Sequence, residues 1–210
     1  MYKQEWNRGR YVLIPHVNNL KKQGLEYKDI LTYVTIRSFK NSDNKLCFPS
    51  HETIGKKAGM SKTYVINSIG RLESAGLVTV ERSRKLKVSN KYYFAEVASP
   101  CKIPLEFFEV EDLTANQKGM LLCLRQFFQC TSLSHGSDTK RLANVLGLSY
   151  QQVYKQYVAL VSKGFIIETV KSLRPICDKT YTVRSLNQDR INWNFNVEEK
   201  PSPTLHLFVG

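Results

Sequence analysis

The chain has 210 residues, is 42% hydrophobic, and carries a formal net charge of +13 from 31 Lys plus Arg against 18 Asp plus Glu. That length holds one large domain or two small ones, and that charge points to a polyanionic partner, nucleic acid or an anionic membrane face. No apolar run approaches the roughly 20 residues that cross a bilayer, and no signal-peptide core follows the N-terminus, so a cytoplasmic protein without a membrane partner is expected.

The charge is uneven. Residues 1–95 hold 18 basic and 7 acidic side chains, whereas residues 96–210 hold 13 and 11. Cys47, Cys101, Cys123, Cys130 and Cys177 form no CxxC pair. Cys123 and Cys130 suit one buried helix face better than a metal site, and no metal or cofactor is expected.

In chain order, MYKQEWNRGR comes first, with Lys3, Arg8 and Arg10 before the apolar YVLIP. It reads either as a basic arm for a minor groove or, through Trp6, as a segment packed on the first domain. Ile30 and Val34 recur at helical spacing and predict a first helix over 25–39. After the polar loop NSDNKLCFPS, Ser50 is placed to cap a short second helix. Thr53 stands where a capping box needs an acid, so that box is incomplete. Gly59 ends this helix, and Ser61 caps a third that runs to about Ala75 and stops at Gly76. The hydrophobic period then changes from near 3.6 to 2. LVTVER, a basic turn RKLKVSN and KYYF predict a hairpin. Three helices and a hairpin packed on them make a winged helix-turn-helix.

The same order recurs. A shift of 88 residues sets Gly59 on Gly147, Ser61 on Ser149, Val65 on Val153, Leu72 on Leu160, Gly76 on Gly164 and Tyr93 on Tyr181. With one residue of slippage, Ile14-Pro15 falls on Ile103-Pro104. Met120, Leu121, Leu124 and Phe128 mark the first helix of the second copy. GFIIETV, SLRPICDK and TYTV mark its hairpin. The predicted fold is α+β, mainly α: two tandem winged helix-turn-helix domains. The first covers residues 1–98 with its basic arm, the second 99–185, and a tail 186–210 follows.

Val65, Ile69 and Leu72 form one stripe of the third helix, as Ile54 and Ala58 do on the second, and these are expected in the core. The remaining face, Lys62, Thr63, Tyr64, Asn67, Ser68 and Arg71, is rich in amide, hydroxyl and cationic groups. Such groups pair with base edges: Arg with guanine, Asn with adenine, hydroxyls with either. Ser61 and Lys62 at the helix start suit a phosphate. Lys56 and Lys57 on the second helix, and Arg82, Arg84, Lys85 and Lys87 around the wing, are expected at the DNA backbone. The second copy offers Ser149, Tyr150, Gln151, Gln152, Lys155 and Gln156. Its wing holds only Arg174 and Lys179 beside Asp178, and Ala159 stands opposite Arg71. The two copies are therefore expected to bind unequally.

From Phe48 to Phe94 the chain resembles a bacterial and phage helix-turn-helix family. The matching residues are Phe48-Pro49-Ser50, Ile54, Gly59-Met60-Ser61, Thr63, Ile69, Leu72, Gly76, Arg82, Ser89-Asn90 and Tyr92. Gly55 departs from the alanine usual in that family. The resemblance implies DNA binding in a transcription regulator or a replication initiator. The tandem arrangement is similar to the paired winged helices of plasmid replication initiators. The closing TLHLF resembles a sliding-clamp docking peptide, without its leading glutamine.

The expected function is sequence-specific binding of double-stranded DNA by a transcriptional regulator of a plasmid or phage. The alternatives are a replication initiator at origin repeats, or an adaptor that uses winged helices for protein contacts. Further partners the sequence admits are a second copy of the chain, as a homodimer, and the sliding clamp. His16, His51, His135 and His206 are scattered, and no phosphate loop or triad is visible, so no enzyme is expected.

Overall fold

The computed structural model describes residues 11–16, 18–41, 46–84, 88–96, 100–130, 139–172 and 180–193. The predicted basic arm, Lys85 and Lys87 of the first wing, the charged turn of the second wing and the TLHLF segment lie outside these residues.

Local chemistry starts and stops each helix of the first unit. Helix α1 is Tyr27–Arg37, and the Asp29 carboxylate accepts the Glu26 backbone N–H at 2.8 Å. Helix α2, His51–Ala58, begins where Ser50 Oγ accepts the Thr53 N–H at 3.1 Å, and ends at Gly59 with φ +68°. Helix α3, Lys62–Ser74, begins with the Tyr64 N–H on Ser61 Oγ at 3.2 Å. These caps satisfy amides that a helix start leaves without partners. Strands β2 (Val78–Glu81) and β3 (Lys91–Phe94) pair antiparallel as the wing, with Val80 opposite Tyr92. Val78, Val80 and Tyr92 face the core.

Gly55 explains its own departure from the family pattern. A Cβ there would lie 2.7 Å from the Met60 carbonyl oxygen, because the turn after α2 folds back over this position. Alanine is the better helix former by about 1 kcal/mol, yet here backbone must move to admit it. Gly55→Ala is expected to destabilise the chain by roughly 1–3 kcal/mol in urea unfolding. A gain in stability would show that the turn is looser than this.

The second unit repeats the elements: α4 (Ala115–Cys130), α5 (Thr139–Leu146), α6 (Tyr150–Ser162), and the hairpin β5 (Ile166–Ser172) with β6 (Thr180–Leu186). Ser149 and Gln152 cap α6 reciprocally. Gly59 and Gly147, and likewise Gly76 and Gly164, are 88 residues apart and all four adopt positive φ. The repeat is thus carried by backbone conformation as well as by side-chain type.

Equivalent elements of the two units meet each other. Strand β1 (Tyr11–Ile14) pairs antiparallel with β4 (Cys101–Pro104). Val12 faces Ile103, the counterpart of Ile14, and Ile14 faces Cys101, the counterpart of Val12. Leu13 faces its own counterpart, Lys102. That register is the signature of a pseudo-twofold axis through the middle of the ladder, as in an isologous dimer interface. Helix α1 packs on α4 across the same axis, and Tyr27 Oη donates to Asn116 Oδ1 at 3.2 Å. The 3-10 turn Leu20–Gln23 borders α5, with the Asn19 N–H on the Val145 carbonyl at 2.8 Å. The corresponding turn of the second unit, Leu105–Glu109, borders α2. Ile14, Leu31, Ile103, Phe107 and Leu121 belong to one continuous core.

The core also takes in the chain after β6. Ile191 and Trp193 are buried, and the Trp193 carbonyl accepts Arg125 Nη2 at 3.3 Å, although the sequence pattern places these residues in a tail. Cys47 and Cys123 are buried as well, and burial pushes both thiols up to about 12. Only the thiolate alkylates readily. Iodoacetamide at pH 8 is therefore expected to leave both unmodified in the native chain and to modify both in guanidinium. Mass spectrometry showing native labelling of either would contradict this burial.

Candidate nucleic-acid interface

Helix α3 presents three faces. Val65, Ile69 and Leu72 point into the core as expected. Ser68 joins them at 0% exposure, which corrects its placement on the reading face. At 100° per residue it lies about 60° from the centre of the apolar stripe, inside the buried margin.

The second face is electrostatic and turned toward α1. Arg71 donates Nε to Asp29 Oδ2 and Nη2 to Asp29 Oδ1, both at 2.8 Å. Asp29 is fully buried, and Glu26 lies 3.7 Å from Arg71 Nη1. Tyr64 Oη donates to Glu26 at 2.9 Å and lies 3.2 Å from Asp29 Oδ1, while the Lys28 ammonium sits 4.1 Å above its ring. The hydrogen bond to Asp29 holds the Arg71 pKa above its ordinary value. Burial, then Asp29, raises that of Tyr64. Arg71 and Tyr64 were expected to read bases. The structure instead commits both to α1, where a bidentate fork fixes the rotation of α3 about its own axis.

The third face is open. Thr63, Ile66, Asn67 and Ser74 are exposed, and Gly70 between them is half-buried. Ser61 and Lys62 are exposed at the N-terminus of the helix, Lys62 in an ion pair with Glu52. Lys56 on α2 and Arg84 after β2 are exposed. Arg82 is exposed and paired with Glu73 through two hydrogen bonds. Exposed pairs of this kind are worth little, so a phosphate can displace Glu52 or Glu73.

Lys57, expected at the DNA backbone, faces the other unit. Its ammonium donates to Ser38 Oγ at 2.8 Å and lies 4.6 Å from the Phe39 ring centroid and 4.5 Å from that of Phe108. Desolvation lowers its pKa, against the charge of Glu109. A cation caged between two rings is an internal clamp, and it ties α2 to the turn before α4.

On α6, Tyr150, Gln151, Gln152 and Lys155 are exposed, and Gln156 is half-buried. Tyr150 stacks on Tyr154, 5.4 Å between centroids, and Val158 is exposed in the following turn. Ser149 and Gln152 are occupied in the helix cap. The Asp29–Arg71 pair is absent here, where Gln117 and Ala159 stand. Tyr157 instead bonds Glu168 at 2.5 Å and receives Arg184 Nε at 2.7 Å, tying α6 to its own wing. Ile66 and Tyr154 join the displayed faces although the sequence pattern did not single them out. The available signal was their position just outside the apolar stripe of each helix.

Polar and apolar groups are thus displayed on a capped helix of a unit that carries exposed cations, a surface suited to a major groove edged by phosphates. Residues 16–78 match the family model described as helix-turn-helix domain, from before α1 to the first residue of β2. This segment is therefore similar to a helix-turn-helix domain, which supports a general DNA-binding role. No curated protein and no solved structure matches the chain. Among the described residues no His, Cys, Asp or Glu cluster could hold a metal ion. Among them, too, no helix is long and apolar enough to cross a membrane.

Proposed function

We propose that the chain is a sequence-specific double-stranded DNA-binding protein that regulates transcription of a bacterial mobile element, a plasmid or phage. The observation that carries this reading is the outward face of α3. Thr63 and Asn67 are exposed there, on a unit whose exposed cations include Lys56, Lys62, Arg82 and Arg84. Residues 1–98 and 99–185 are the two binding domains, and the pseudo-twofold relation lets one chain place α3 and α6 on two half-sites of the same duplex. With Lys155 its one exposed cation, α6 contributes the weaker half. Initiation of replication is the second reading, favoured by the welding of two such units into one body. It predicts footprints on repeated origin sites in place of an operator over a promoter.

Selection of bound duplexes from a random pool tests the common core of both readings. A recovered motif, with Asn67→Ala relaxing preference at one position by about tenfold, is the expected result. Recovery of no motif, with affinity falling uniformly as salt rises, would remove sequence-specific recognition.

A further inference from the structure

We infer that Ile66 is a specificity-determining residue that reads the C5-methyl group of a thymine in the major groove. The inference rests on α3 being the reading helix and names what one of its side chains recognises. Ile66 is 44% exposed at the middle of the outward face, between Thr63, Asn67 and Gly70. No other large apolar side chain of α3 is exposed.

A single exposed isoleucine is ordinary on most surfaces. This position differs in three respects. First, it recurs: 88 residues on, Tyr154 is the counterpart of Ile66 and is 49% exposed. Both helices therefore keep a large apolar group at the same point of the same turn. Second, the space beside it is open. A Cβ on Gly70, one turn further along, would meet nothing within 4 Å, so the helix can approach a flat surface closely there. Isoleucine is β-branched and holds one side-chain rotamer in a helix, so little conformational freedom is lost on contact.

Third, the charge selects the occupant. Lys62 starts α3 in an ion pair with the exposed Glu52, Lys56 on α2 and Arg84 after β2 are exposed, and Glu73, the one acid on α3, is paired with Arg82. Few surfaces offer an apolar contact beside anionic walls. The major groove does: its walls are phosphates, and the thymine methyl is the one apolar group on its floor. Asn67, the neighbouring residue, carries the amide that pairs with adenine. Together the two side chains specify adjacent features of A·T-containing sequence.

The test uses the full chain and a duplex carrying its selected motif, with each thymine replaced in turn by uracil, which lacks only the methyl. At one position under α3, the wild-type chain is expected to lose affinity about three- to five-fold, as for one buried methyl. Ile66→Ala should bind the thymine and uracil duplexes equally, and Ile66→Val should retain part of the difference. Circular dichroism should show both variants folded, since the position is exposed and alanine favours helix. A uracil penalty that persists unchanged in Ile66→Ala, or the absence of any penalty under α3, overturns the inference. If Asn67→Ala also leaves the selected motif unchanged, the reading of α3 itself fails. If Asn67→Ala alters the motif, only the role of Ile66 fails.

Discussion

Arg71→Ala is expected to destabilise the folded chain by about 3 kcal/mol, measured by urea unfolding. The cost comes from Asp29. Its carboxylate is fully buried and receives two of its hydrogen bonds from the guanidinium. Removing the fork leaves a buried charge with the Glu26 N–H and the Tyr64 hydroxyl as its remaining partners. Breaking a buried pair costs about 3–5 kcal/mol, and the lower end applies because the Arg71 side chain is 27% exposed. Arg71→Lys should recover only part of the loss, since an ammonium cannot form the parallel pair of bonds. Replacing both partners with apolar residues should restore most of the stability. If Arg71→Ala unfolds at the wild-type urea midpoint but loses DNA affinity, the arginine is a base reader after all.

Gly119→Leu is expected to weaken the junction of the two units by roughly 1–3 kcal/mol. Helix propensity alone predicts the opposite, a gain of nearly 1 kcal/mol over glycine. The packing decides against it. A Cβ at 119 would lie 3.1 Å from both the Tyr27 carbonyl oxygen and the Lys28 Cα, so α1 and α4 would have to separate. Such separation strains the β1–β4 ladder and the Tyr27–Asn116 hydrogen bond, which share the same axis. The expected result is a lower urea midpoint, with faster hydrogen exchange in Tyr11–Ile14 and Cys101–Pro104. A variant more stable than wild type, with one sharp transition, would mean that the helices do not meet so closely.

Much of each unit is legible along the chain because its signals are local. Ser50, Ser61 and Ser149 cap helices, and Gly59, Gly76, Gly147 and Gly164 take positive φ, as their spacing predicts. Val65, Ile69 and Leu72 lie in the core, as the 3.6-residue period requires. The reading face is less legible. Asn67, Thr63 and Lys62 are displayed outward, but Arg71, Tyr64 and Lys57 are turned inward by partners distant in the sequence. Composition marks a residue as able to meet DNA, and it says nothing of a carboxylate 42 residues away that claims the same donors.

By itself, then, the sequence determined the order of helices and hairpins, their caps, the internal repeat and the basic character of the first half. These depend on contacts within a few residues and on periodicity. Only the tertiary structure decided how the copies meet and which polar side chains remain outside. The β1–β4 pairing joins four-residue strands some ninety positions apart, too short to announce themselves by alternation. The Asp29–Arg71 and Lys57–Phe108 contacts arise because burial leaves each charge only the partners that packing brings to it.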